Sequence, residues 1–163
     1  MIFKKNLVLY IILIFSFIFI LFFYFIQNNL TKEKNGTLEP ISINLLTSVH
    51  PNLVWEFKPV KKKILVKPGE VTTIEYLVEN LGPEESTGIA TFVYFPNQFG
   101  NYISKINCFC YDAQTLKPNQ KDKFILVLLI DPEVTKDNKT KNAKEVTIQF
   151  TFFDYKDYKK KKS

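Results

Sequence analysis

Two cysteines stand one residue apart in the stretch Lys105-Ile106-Asn107-Cys108-Phe109-Cys110-Tyr111-Asp112, and they are the only two in 163 residues. In an extended strand, Cys-x-Cys places the two Cα atoms about 6.6 Å apart by rise, at the far edge of the window for a disulfide. The redox motif with good bonding geometry has two intervening residues. The same extended geometry would put both sulfurs on one side and Phe109 on the other. Two thiolates facing one way form a clip. Soft thiolates favour soft ions, chiefly Cu(I). Zinc asks for four ligands, which the sequence does not supply. His50, in Val49-His50-Pro51-Asn52, is the only histidine and reads more readily as a solvated loop residue than as a ligand. A buried structural pair is the competing reading of Cys108 and Cys110. Compartment favours use of the sulfurs, because outside the cytoplasm idle free cysteines tend to be oxidised or avoided.

The compartment argument rests on the amino-terminal segment. From Leu7 to Ile26 every residue is apolar or aromatic except Ser16. About twenty residues of helix span one hydrocarbon core. The run is longer than the apolar part of a signal peptide, and Gln27-Asn28-Asn29-Leu30 offers no small-residue cleavage site. The sequence therefore predicts an uncleaved transmembrane signal anchor. Lys4 and Lys5 precede the run and place the short end in the cytoplasm by the positive-inside rule.

The expected organisation is a cytoplasmic end (residues 1–6), an anchor (7–26), a polar linker (27–38), a periplasmic domain (39–155) and a basic tail (156–163). The localisation that follows is the cell inner membrane, single-pass, with the carboxy-terminal domain on the periplasmic side.

The formal charge is +6, and all 22 basic residues are lysine. No basic stripe interleaves with aromatics and arginine is absent, so nucleic-acid binding is not expected. Lys159-Lys160-Lys161-Lys162 reads as a frayed, solvated end.

The elements that must position the cysteines are strands. Ile41, Ile43 and Leu45 alternate with Ser42, Asn44 and Leu46; Trp55-Glu56-Phe57 and Lys62 to Val66 are further fragments. Thr72 to Glu79 puts Ile74, Tyr76 and Val78 on one face. Gly88 to Phe95 and Val146 to Phe152 follow the strand pattern, and Phe124 to Ile130 is continuously apolar, as expected of a strand buried on both sides. Lys67-Pro68-Gly69-Glu70 is a turn with Pro68 at its first central position and positive φ at Gly69. Lys117-Pro118-Asn119-Gln120 repeats it, with Asn119 in the glycine's place. About seven or eight short strands predict an all-β fold, an antiparallel β-sandwich of the immunoglobulin-like kind, with Trp55 and the Phe and Tyr residues filling its core.

"KINCFCYDAQTLKPNQ" resembles the signature region of the cytochrome c oxidase assembly protein CtaG family: Cys-Phe-Cys-Phe, an acidic residue, Gln, Leu and a Pro-Gly turn. Trp55 to Pro59, Val66 to Glu70, Gly100 to Ile103, Ile130 to Pro132 and Thr151 to Phe153 resemble it too, in order along the chain. Tyr111 replaces the family's second Phe, Lys123-Phe124 stands where Met-Pro is usual, and residues 27–40 lack the family's further cysteine.

The resemblance implies a membrane-anchored Cu(I) metallochaperone, not an enzyme, that delivers copper to the copper B centre of oxidase subunit I. Cys108 and Cys110 match the family's copper-binding residues. Phe109 would anchor the strand, Tyr111 and Gln114 would shape the rim, and a second protomer would complete the site as a copper-bridged homodimer. The rival reading is a periplasmic thiol–disulfide oxidoreductase acting on other copper-site cysteines. It would need a depressed thiol pKa, with Lys105 the only close cation. A third is a plain interaction module with inert cysteines.

Overall fold

The structure is a computed structural model that describes residues 13–27 and 38–162. The chain divides into two units, Met1–Thr37 and Leu38–Ser163. In the first, residues 13–27 form helix α1, with Leu13 to Ile26 all exposed. Residues 13–26 of the predicted anchor belong to α1; residues 7–12 lie outside the described residues, as do 1–6 and 28–37 of the linker. Among the described residues, no helix is long and apolar enough to cross a membrane.

The second unit is mostly β-sheet. Its strands are β1 (Ile41–Val49), β2 (Trp55–Pro59), β3 (Lys63–Val66), β4 (Val71–Asn80), β5 (Ser86–Phe95), β6 (Ile103–Cys108), β7 (Gln114–Leu116), β8 (Lys121–Ile130) and β9 (Glu145–Asp154). They form a five-stranded sheet, β3-β1-β9-β5-β7, and a four-stranded sheet, β2-β4-β8-β6. All pairs are antiparallel except β1 with β9, which run parallel from Ser42 opposite Glu145 to Val49 opposite Phe152.

The period-two pattern decides which faces meet. Ile74, Tyr76 and Val78 of β4 and Val146, Ile148, Phe150 and Phe152 of β9 are all buried. Rings from the two sheets touch: Phe57 lies 4.9 Å from Phe152 and Tyr76 5.6 Å from Phe150, centroid to centroid. Burying each such side chain stabilises the fold by ~1.5–3 kcal/mol. Trp55 is buried as expected and donates its indole N–H to Ser86 Oγ at 2.8 Å.

Both predicted turns form. Gly69 has φ +89° and Glu70 N–H closes on Lys67 O at 3.1 Å; Asn119 has φ +57° and Gln120 N–H closes on Lys117 O at 3.1 Å.

Two expectations are corrected. β8 is not buried on both sides: Phe124, Leu126, Leu128 and Ile130 are buried, while Ile125, Val127 and Leu129 are half-buried. The sheet is antiparallel and only its inner face meets the other sheet. On the outer face these side chains find lateral shelter from cross-strand neighbours such as Glu75, Thr73 and Val71. The basic tail is also ordered into a helix, α2 (Tyr155–Lys162). Asp154 caps it, accepting from the backbone N–H of Lys156 at 2.8 Å and of Asp157 at 3.2 Å.

Candidate functional site

β6 is an edge strand that carries the first cysteine at its end. Ile103 pairs with Ile130 and Cys108 with Leu126 of β8, and all four are buried. The strand stops at Cys108 because the chain folds back, with Tyr111 N–H donating to Cys108 O at 3.2 Å. This turn brings the Cα atoms of Cys108 and Cys110 to 5.0 Å, and the two residues form a disulfide.

The sequence-based expectation of a pair badly placed for bonding is therefore overturned. It assumed extended backbone through the whole motif, and extension ends at its first residue. The expected split, sulfurs on one side and Phe109 on the other, fails for the same reason. Cys108 is 4 % exposed and Phe109 8 %, so neighbouring residues both face inward, and Cys110 is half-buried beside them.

Phe109 holds the turn. Its ring contacts Phe150 at 4.9 Å, Phe124 at 5.3 Å, Tyr76 at 5.4 Å and Phe57 at 5.6 Å. The motif is thus fastened at its middle residue to the aromatic core of both sheets. The backbone of the turn is fastened as well. Gln114 donates its side-chain amide to Phe109 O at 3.0 Å and to Asp112 O at 3.2 Å. Tyr111 donates its hydroxyl to Lys105 O, across the loop that carries both cysteines. Tyr111 and Gln114, the residues expected at the rim of the pair, are thus both bonded to the backbone of this loop. Cys110 N–H points at Cys108 Sγ, 3.2 Å away.

Lys105 of β6 meets Phe92 and Tyr94 of β5 a few residues before this turn. The Lys105 ammonium sits 3.5 Å from the centroid of Phe92 and donates to Tyr94 Oη at 3.2 Å. Burial pushes the Tyr94 hydroxyl up to about 12, with the nearby Tyr111 adding to it, and burial lowers the Lys105 ammonium. Phe92 and Tyr94 have no part in the sequence-based site. Their signal is only the alternation of Gly88 to Phe95, which says that they share a face but not what that face meets. His50 lies after β1 against the ring of Phe153, 5.5 Å between centroids.

In the bonded state the pair offers no thiolate. Reduced, it offers two sulfurs held within reach of one ion. Among the described residues there is no group of three or more His, Cys, Asp or Glu side chains that could hold a metal. The donor set therefore fits a soft ion of low coordination number and not a four-ligand zinc site.

The sequence matches the family model of cytochrome c oxidase assembly protein CtaG/Cox11 over residues 23–154. The chain belongs to this family. The match takes in β1 to β9 of this CtaG/Cox11 member and both of its cysteines. Curated relatives named cytochrome c oxidase assembly protein CtaG agree. That of Sinorhizobium fredii is 37% identical over 115 residues, covering 71% of this chain and 58% of the relative. That of Brucella ovis is 36% identical over 113 residues (69% and 56%), and that of Bradyrhizobium diazoefficiens 34% over 117 residues (72% and 55%). The CtaG/Cox11 chain described here thus spans little more than half the length of these relatives.

Proposed function

We propose that this protein is a Cu(I) carrier, and not a catalyst, which delivers copper to the copper B centre of cytochrome c oxidase subunit I during assembly. The observation that carries the reading is the turn that brings Cys108 and Cys110 to one point on the sandwich, with Phe109 locked in the core. Membership of a cytochrome c oxidase assembly family supports the oxidase as the partner.

Cu(I) is the cargo. Reduction of the Cys108–Cys110 bond takes up two electrons and two protons from an external dithiol. The resulting thiols lose their protons as they bind the ion. Two sulfurs leave coordination positions open, so an acceptor's ligands can displace them one at a time. A second copy could complete the site as a copper-bridged homodimer. In this reading the sandwich is immunoglobulin-like and faces the periplasm. The apolar run 7–26 anchors it in the inner membrane, since about twenty consecutive apolar residues suit the hydrocarbon core.

The test is a cuprous titration of the reduced, detergent-solubilised full chain. One Cu(I) per chain is expected, with Cys108→Ser and Cys110→Ser each abolishing tight binding. Full copper retained by either variant would refute the two-thiolate site. In a strain lacking the native protein, the same variants should leave an oxidase with haem inserted but copper B missing.

The observed disulfide also favours a second reading, thiol–disulfide exchange with the cysteines of another copper site. Repeated oxidation of a reduced dicysteine peptide, with a small disulfide oxidant re-forming the Cys108–Cys110 bond after each turnover and no copper present, would decide for it.

A further inference from the structure

The chain enters the sandwich at Ile41, where Ile41 pairs with Val66 and Ser42 with Leu65. The Lys67–Glu70 turn closes the same end, with Gly69 N–H donating to Ile130 O at 2.8 Å. Beside this entry a groove of about 640 Å³ runs between β3 and β4, with Val60, Lys61, Lys63, Ile64, Leu65 and Ile74 among its lining residues. The groove is open because β2 stops at Pro59, opposite Tyr76, and leaves the start of β4 without a strand on that side.

Two properties meet in this lining. Val60 is 50 % exposed and Leu65 70 %, although both are aliphatic, and Val71 at the same end is 61 % exposed. Lys61 and Lys62 are exposed as well, and among the described residues neither has a salt bridge. The nearby acids are already engaged: Glu75 with Lys123 at 3.0 Å, and Glu145 with Lys63 at 2.7 Å. Exposed apolar groups rimmed by polar ones mark a contact surface. Aliphatic groups at the acyl boundary, with lysines among the phosphates, bind anionic bilayers, and each lysine adds about fivefold. The tail is a contrast. Because β1 and β9 run parallel, α2 stands at the other end of the sandwich, roughly 26 Å along the strands from Ile41. It is rich in lysine but has no aliphatic residue.

We propose that this groove and its lysines dock the chain-entry end of the sandwich on the anionic phospholipid surface of a membrane. The choice of lipid rests on the reading of residues 7–26 as an anchor, since that run leads into the sandwich at this end. Docking there sets the height of the cysteine turn. Cys108 pairs with Leu126, and Leu126 lies about 13 Å along β8 from Ile130 at the docked end.

The test is amide hydrogen exchange of the full chain with lipid nanodiscs, made of phosphatidylcholine alone or mixed with phosphatidylglycerol. Amides from Val60 to Val66 should exchange about fivefold or more slowly with the anionic discs, and added NaCl should remove the difference. Joint Lys61→Glu and Lys62→Glu substitution should abolish it, and so should Leu65→Ser. All three sites are exposed, and unchanged exchange in β8 would show that each variant is folded. Equal exchange with the two lipids, or a difference that survives both variants, overturns the proposal. So does protection of Tyr155 to Lys162 in place of Val60 to Val66, which would mean attraction of bare charge. Protection that rises with chain concentration in neutral detergent would give the groove to a second copy and also overturns it. A chain that fails to co-elute with phosphatidylcholine discs, yet gains protection from anionic ones, would strike the anchor reading and leave the surface standing.

Discussion

Phe109 carries more structural weight than either cysteine beside it. Its ring touches rings from both sheets, so truncation would open a cavity at the centre of the aromatic cluster. Phe109→Ala should lose about 3–5 kcal/mol of stability in denaturant unfolding. Phe109→Leu should lose clearly less, since it keeps most of the volume. Equal losses would mean that the ring is not packed as described. Tyr111 works at the backbone instead. Its hydroxyl ties the turn to Lys105 O from an exposed position. Tyr111→Phe restores the residue usual in the family and should cost no more than about 1 kcal/mol. Its clearer effect should be faster hydrogen exchange at the Tyr111 amide, which closes on Cys108 O. Unaltered exchange there would show that the hydroxyl does not hold the turn.

Among the elements, the turns and the close approach at Gly88 are the most sensitive to single substitutions. Gly69 and Asn119 both occupy positive φ after a proline. Asn119→Gly should be neutral or slightly stabilising, and Asn119→Val should cost about 1–2 kcal/mol, because β-branched residues avoid this region. Gly88 on β5 is constrained by space. A Cβ there would lie 2.7 Å from Leu53 Cδ2 and 3.1 Å from both Phe152 Cδ1 and Trp55 Cη2. Gly88→Ala should destabilise by about 1–3 kcal/mol through overpacking between β2, β5 and β9. A stable Gly88→Ala protein would mean that Leu53 can move aside.

For the molecule as a whole, the parallel β1–β9 pairing is reinforced at one end by a charged cluster. Glu145 accepts from Lys63 Nζ at 2.7 Å and from Asn44 Nδ2 at 2.6 Å, joining β9 to β3 and β1. The Lys63 hydrogen bond first, then that of Asn44, holds the Glu145 carboxyl below the ordinary glutamate value. Asp137 is held low in the same direction by the Lys139 backbone N–H and then by the Tyr102 hydroxyl. A depressed carboxyl contributes stability that is complete above its unfolded value and is lost as pH falls through the folded one. The domain should therefore lose stability as the solution is acidified below the usual carboxylate range. Glu145→Gln should flatten that part of the profile. Because the pair is exposed, added salt should weaken its effect. An acid profile identical in native and Glu145→Gln protein would remove Glu145 from the account.

Local chemistry alone specified much of this protein. Alternation in Thr72 to Glu79 assigned Ile74, Tyr76 and Val78 to the core, and Pro68-Gly69 and Pro118-Asn119 marked turns with the correct backbone sign. These features depend on periods and dihedral preferences that a few neighbouring residues set. The rarity of cysteine likewise marked Cys108 and Cys110 before any fold was known. Tertiary structure decided which strand lies beside which, above all the parallel seam of β1 with β9, because partners about a hundred residues apart leave no local trace. It decided that β8 shows only one face to the core, since an apolar run fits either one-sided or two-sided burial. It also decided the geometry of the cysteines. A turn beginning at Cys108 and one extra residue at Ile106 each reverse which way the following side chains face, and no composition or spacing records so small a shift in register.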